Sequence, residues 1–245
     1  YQGPKAYIRS SPFRVEEERM GVIVQRLVAQ RRGDVCYPNF AGVAQSYNFY
    51  PVGRLKATDG LVQVAMGLGK MVVEGGNVLR FSPARPKILP QFSSTRDMLR
   101  NSQKEFYALD MSRSDVRFKA GGEGPLVKLG LDRAESDGTL APVGSVYVPD
   151  DGVVRDGIYH KGPRLVTFAH VLKSGQFPLA SVLRDLLSIG RRATGNEVEI
   201  EFAVNLYPPE HEQHEFAVLQ CRPMARSGGS TVVDLERPAP EKLLC

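Results

Sequence analysis

The chain has 245 residues with a formal net charge of +5, and 42% of them are hydrophobic and 24% charged, proportions of a soluble globular protein with room for one large domain or two small ones. The basic excess is scattered and has no interleaved aromatic stripe, which argues against a nucleic-acid binder. Cys36, Cys221 and Cys245 stand far apart with no Cys-x-x-Cys or Cys/His cluster, which argues against zinc and for reduced thiols in a cytoplasmic protein.

In chain order, residues 1–19 are polar and carry the acidic run Glu16-Glu17-Glu18, read as a solvated face. Residues 20–28 alternate and are β-branched, which predicts a strand, and Arg31-Arg32-Gly33 a turn. Strands are predicted at 40–50, ending on Pro51, and at 61–66. The latter runs into Gly67-Leu68-Gly69-Lys70 and a short helix over 71–74 stopped by Gly75-Gly76. A strand, a glycine turn and a helix start can hold an anion or a nucleotide backbone. This is not a Walker loop, because Met71 rather than Ser or Thr follows the lysine.

Pro83, Pro86 and Pro90 make 82–95 loop or edge. Residues 96–140 are charged and glycine-rich, with weak strands near 113–120 and 126–131. Further strands are expected at 143–148 and 164–171. The best helix covers 179–193, with Leu179, Val182, Leu183, Leu186, Leu187 and Ile189 as its apolar stripe, Arg184 and Asp185 on its polar side, and Gly195 after its end. The segment from 227 to 245 reads as an extended tail. The chain opens on Tyr1, which reads as a piece cut from something larger.

The chemistry gathers near the end of the chain. In Val198-Glu199-Ile200-Glu201-Phe202-Ala203-Val204 the alternation puts Val198, Ile200, Phe202 and Val204 on one face and both glutamates on the other. In Phe216-Ala217-Val218-Leu219-Gln220-Cys221-Arg222-Pro223, Gln220 and Arg222 share a direction. Paired as a hairpin across the Pro208-Pro209 loop, the two runs bring two carboxylates, an amide and a guanidinium to one surface. Carboxylate and amide oxygens suit Mg²⁺, and a guanidinium suits phosphate. A plain amphipathic hairpin with a wet face has the same pattern.

Three ordered segments resemble one family. Met20-Gly21-Val22-Ile23-Val24-Gln25-Arg26-Leu27-Val28 is similar to its V-x-V-Q-x-M-V run. Gly67-Leu68-Gly69-Lys70-Met71-Val72-Val73-Glu74-Gly75 is similar to G-L-G-E-x-V-V-x-G. Glu199-Ile200-Glu201-Phe202 with Leu219-Gln220-Cys221-Arg222-Pro223 resembles D-I-E-W/F followed by L-Q-x-R-P. The family is the nucleotide-binding domain of phosphoenolpyruvate synthase and pyruvate phosphate dikinase. The resemblance implies an α+β, ATP-grasp-like fold, a mostly antiparallel sheet with packed helices, lacking the N-terminal lobe and occupying residues 1–226. Residues 96–175 match least and read as an elaboration.

The resemblance also implies roles. Gln25 and Leu27 would border the adenine, and Ser46, Gly67, Gly69 and Glu199 would belong to the nucleotide site. Glu201 and Gln220 would ligate Mg²⁺, and Arg222 would hold phosphate oxygens during transfer. ATP would phosphorylate a carrier histidine on another domain of the parent chain, and pyruvate would be the final acceptor; the piece alone is expected to be inactive. The sequence departs from the family where Lys70 replaces its glutamate and Glu199 its aspartate, and where Ser46 replaces the threonine of G-V-x-F-T. The Lys70 and Glu199 replacements leave open a non-catalytic nucleotide-binding or regulatory module. Arg9-Ser10-Ser11 mimics the family's V-R-S-S string at an unsuitable distance, and His160, His170, His211 and His214 read as surface or structural residues.

Overall fold

The computed structural model describes residues 21–112, 124–207 and 213–224. The predicted strand at 113–120, the acidic run, Arg9-Ser10-Ser11, His211 and the tail after 227 lie outside them. The described strands form three sheets, and every pairing between them is antiparallel. The largest has the order β12 (Glu215–Pro223), β11 (Val198–Asn205), β3 (Phe40–Gln45), β4 (Leu61–Met66) and β5 (Leu79–Phe81). A second joins β1 (Gln30–Arg32), β2 (Val35–Tyr37), β6 (Glu105–Asp110) and β7 (Leu126–Gly130). The third sets β8 (Gly144–Val148) between β10 (Arg164–Val166) and β9 (Val153–Asp156).

Five α-helices accompany them among the described residues: α1 (Lys70–Val73), α2 (Thr95–Asn101), α3 (Leu131–Ser136), α4 (Ala169–Leu172) and α5 (Leu179–Thr194). In α5 the buried face is Leu179, Leu183, Leu187 and Gly190, the i, i+4 rows expected of a helix lying on a sheet. It packs on β11 and β3, and Gly195 ends it by donating its N–H to Arg191 O. The predicted stripe was one residue too wide: Ile189 is 52% exposed, because the arc that meets the sheet ends at Gly190.

One core joins the sheets. Phe40, Phe81, Phe106, Phe168 and Phe202 are buried in a single cluster with Leu140, Val166 and Leu183. Phe106, Leu140, Val166 and Phe168 of the 96–175 stretch contribute to that cluster. Gly67 lies where β4 passes under β6. Its φ is +81°, and a Cβ there would come within 2.7 Å of Tyr107 O, so both backbone conformation and space call for glycine.

Three predicted strands are corrected. Residues 21–29 form no strand: Val22, Ile23 and Val24 are exposed, and β-branched alternation without a sheet edge to pair with does not make one. The strand from Phe40 stops at Gln45, because Ser46 turns to bond the start of β11. The run at 164–171 ends at Val166. Thr167 and Phe168 both donate N–H groups to Val143 O, and Phe168 takes φ 55° and starts α4.

Between sheets, Arg164 on β10 clamps Glu135 on α3, with Nε to Oε2 at 2.8 Å and Nη2 to Oε1 at 2.6 Å. The Arg164 hydrogen bonds hold the Glu135 carboxyl below its ordinary 4.5. A depressed folded pKa contributes stability above the unfolded value and loses it as pH falls through the folded one. Both side chains are partly exposed, 23% and 36%, so the pair is worth about 0.5–1 kcal/mol. Glu135→Gln should therefore be less stable by that amount in urea at about pH 7, with the gap closing in acid well below the ordinary 4.5 of a glutamate. A gap of equal size at both pH values would remove the ion pair as its cause.

Candidate functional site

The β11–β12 hairpin forms, with a register shift between Glu201 and Phe202. Glu199 is the register partner of Arg222, and Glu201 of Gln220. Directly opposed residues share a face, so all four groups stand together. On the other side of β11, Glu199 faces Gln45 and Glu201 faces Val43. The second row continues through Gln63 on β4 to Arg80 on β5. The opposite face carries Ile200, Phe202 and Val204 into the core.

Within this surface the groups differ in freedom. Arg222 donates Nε to Glu199 Oε1 at 2.9 Å, and its Nη2 bonds the same oxygen. Gln45 Nε2 donates to Glu199 Oε2 at 2.7 Å. Both Glu199 oxygens are thus engaged, and the carboxylate acts as a post that fixes the guanidinium. The hydrogen bonds it donates to Glu199 raise the Arg222 pKa, with smaller help from the Glu201 charge, so the cation is secure.

Glu201 and Gln220 are otherwise placed. Neither side chain hydrogen-bonds another described residue. Together they offer one carboxylate and one amide oxygen side by side. No group of three or more His, Cys, Asp or Glu side chains that could hold a metal occurs among the described residues. The pair therefore fits a cation that draws its remaining ligands from water and phosphate, as Mg²⁺ does.

Beyond Glu201 on the same face lie Ala203 and its partner Ala41. These small side chains floor a pocket of about 260 Å³ with walls from Gln25, Leu27, Leu68, Gly69 and Leu219. Gln25 Nε2 donates to Leu219 O at 3.1 Å, which ties the 21–29 segment to β12. Gln25, Leu27 and Gly69 are thus brought together beside the Glu201 row, although the segment carrying the first two is not a strand.

Ser46 and Gly67 are not brought there. The Ser46 hydroxyl donates to Glu197 Oε2 at 2.5 Å and accepts from Val198 N–H at 2.8 Å, which anchors the start of β11. Gly67 serves the sheet crossing described above. Lys70 pairs with Glu74 at 2.8 Å and sits 5.5 Å from the Tyr107 ring centroid. His214 accepts the Tyr207 N–H through Nδ1 at 3.2 Å and meets Phe177 edge-on, a structural role. Sequence reasoning missed Gln45, Gln63 and Arg80. The signal for Gln63 was present, as the one polar side chain in the apolar run of β4.

An antiparallel α+β fold presenting acid, amide and guanidinium from adjoining strands beside a small-residue pocket defines an ATP-grasp-like nucleotide-binding domain. The sequence-family model described as pyruvate phosphate dikinase, AMP/ATP-binding domain matches residues 2–242, and the chain belongs to that family of kinase-type phosphotransferases. No curated protein matches the sequence. No helix among the described residues is long and apolar enough to cross a membrane.

Proposed function

We propose that the chain supplies the ATP- and Mg²⁺-binding surface of a phosphoenolpyruvate synthase-like phosphotransferase. ATP phosphorylates a histidine on another domain of the parent, water takes the second phosphoryl group so that AMP and phosphate leave, and the phosphohistidine passes its group to pyruvate. The observation that carries this reading is the pairing of Glu201 with Gln220 beside Arg222 with Glu199. Glu201 and Gln220 hold Mg²⁺, which when bound neutralises and orients the polyphosphate. Arg222, fixed by Glu199, takes phosphate oxygens, and the pocket around Gln25, Leu27 and Gly69 takes the adenine.

Calorimetric titration of ATP with Mg²⁺ and with EDTA tests it. Wild type should bind the magnesium complex more tightly than the free nucleotide. Glu201→Ala should lose about 10- to 100-fold in affinity for the complex and little for ATP in EDTA. An unchanged magnesium dependence in the variant removes Glu201 from the metal site. Nucleotide binding without any phosphohistidine in the intact parent would instead make this a binding module.

A further inference from the structure

We infer that a cavity at the β5 edge of the large sheet is a binding site for a small organic acid, a carboxylate on an apolar body. The cavity has a volume of about 270 Å³. It sits at the Leu61 end of β4 and the Phe81 end of β5, and β5 is the edge strand farthest from β12. Arg80 in its wall stands three strands from Glu201, about 14 Å at the ordinary strand spacing. None of its lining residues belongs to the pocket around Gln25. Its apolar walls come from Tyr50, Val52, Leu55, Leu61 and Pro90. Tyr50 and Val52 stand mostly in solvent, so an apolar body seated against them removes exposed carbon from water.

The polar side chains of the lining differ in what they have left to offer. Ser82 donates its hydroxyl to Asp59 O at 2.8 Å and accepts the Ala84 N–H at 3.2 Å. Gln91 accepts the Arg80 N–H through Oε1 at 2.7 Å and donates Nε2 to Val78 O at 2.9 Å. Both are spent on the protein. Arg80 and Asn48 keep donors. The Arg80 guanidinium makes no ion pair or hydrogen bond with a described residue. Asn48 is 5% exposed, and its Oδ1 accepts the Tyr50 N–H at 3.0 Å, which fixes the amide with Nδ2 as its free end. That Nδ2 bonds no described residue and is not among the partnerless atoms sealed from solvent, so it remains reachable from the cavity that Asn48 borders.

The charge of the walls has one sign. No carboxylate lines the cavity among the described residues. The two segments that wall it, 48–61 and 80–91, carry Arg54, Lys56, Arg80, Arg85 and Lys87 against a single carboxylate, Asp59. Asp59 accepts the Lys56 N–H at 2.8 Å and pairs with Arg85 at 3.5 Å, so the local field is positive. A neutral occupant leaves the guanidinium and the amide to water. A carboxylate takes charge-assisted hydrogen bonds from the planar fork of Arg80 and a further one from Asn48 Nδ2. Mostly apolar walls with a few placed polar groups are the usual make-up of a small-molecule site, and the volume restricts the occupant to a small one.

The inference does not rest on the nucleotide reading and is tested apart from it. Benzoate is titrated into the protein by calorimetry, alongside acetate, which has the charge without the body, and benzyl alcohol, which has the body without the charge. Benzoate should bind at one saturable site and more tightly than either. Arg80→Gln should weaken benzoate about tenfold and leave benzyl alcohol unchanged, a difference that loss of folded protein would not give. Val52→Asp, at an exposed position, should weaken benzoate too, by setting a like charge among the walls; melting curves confirm that both variants are folded. Arg222→Gln should leave benzoate affinity at its wild-type value. Absence of saturable benzoate binding, equal affinity for benzoate and benzyl alcohol, or equal benzoate affinity with and without Arg80 overturns the inference. A tenfold loss in Arg222→Gln in place of Arg80→Gln would put the acid at the nucleotide site and overturn it as well.

Discussion

Arg222→Lys is expected to slow ATP-dependent phosphoryl transfer by about a hundred- to a thousand-fold, with a smaller effect on ATP affinity. Arg222 reaches its place as a fork: Nε and Nη2 rest on Glu199 Oε1, and Gln45 holds the other oxygen of that carboxylate. The outer edge of the guanidinium is thereby presented in one orientation. Lysine keeps the charge but is a mobile point charge with no planar edge to set against Glu199 and phosphate together. In phosphoryl transfer, where positioning and neutralisation supply most of the rate, that loss falls on the chemical step. Quenched-flow measurement of AMP release by the intact parent reads it. A lysine variant that turns over at the wild-type rate would show that Arg222 contributes charge alone or nothing.

Phe202→Ala should destabilise the fold by about 3–5 kcal/mol in urea denaturation. Phe202 is fully buried and stacks on Phe216 at 5.3 Å. Its ring lies against Gly42, where a Cβ would approach Phe202 Cζ at 2.6 Å. Truncation therefore opens a cavity between β11 and β3, directly behind Glu201. Gly42→Ala should also destabilise, by overpacking, but Phe202→Leu should not rescue it fully. The same added Cβ would come 2.5 Å from Gln63 O, a backbone atom that no ring truncation moves. Complete rescue in the double variant would contradict this packing.

How much of this was legible in the sequence depends on how local the signal is. β11, β4 and α5 were readable because their alternation or helical stripe coincides with burial. The glycine turn at 67–69 was readable because glycine at a positive φ has few substitutes. The 21–28 run failed because strand formation needs a partner edge, which propensity does not supply. Phe168 was unreadable as a break, since a non-glycine residue in the left-handed region gives no warning in its own type. At the site, the residue types and the shared direction within each run were visible, but the opposition of Glu201 to Gln220 depends on the register shift beside it and was not. Gln45 as the second holder of Glu199, and Ser46 as an anchor for Glu197, depend on β3 lying beside β11. That neighbour relation spans about 150 positions of chain, and one sequence does not encode it visibly.

The pairing of β11 with β12 shifts register between Glu201 and Phe202, leaving Leu219 without an opposite number. Phe216 and Val218 answer core-facing Val204 and Phe202, while Gln220 and Arg222, two and four positions past Val218, answer the glutamates. Strict alternation would send all four of those side chains to the same side. The supernumerary Leu219 resets the parity in mid-strand, so one ribbon is greasy below and ionic above at its two ends. Deleting that single residue would leave composition almost untouched, yet it would turn the amide and the guanidinium inward or expel the phenylalanine.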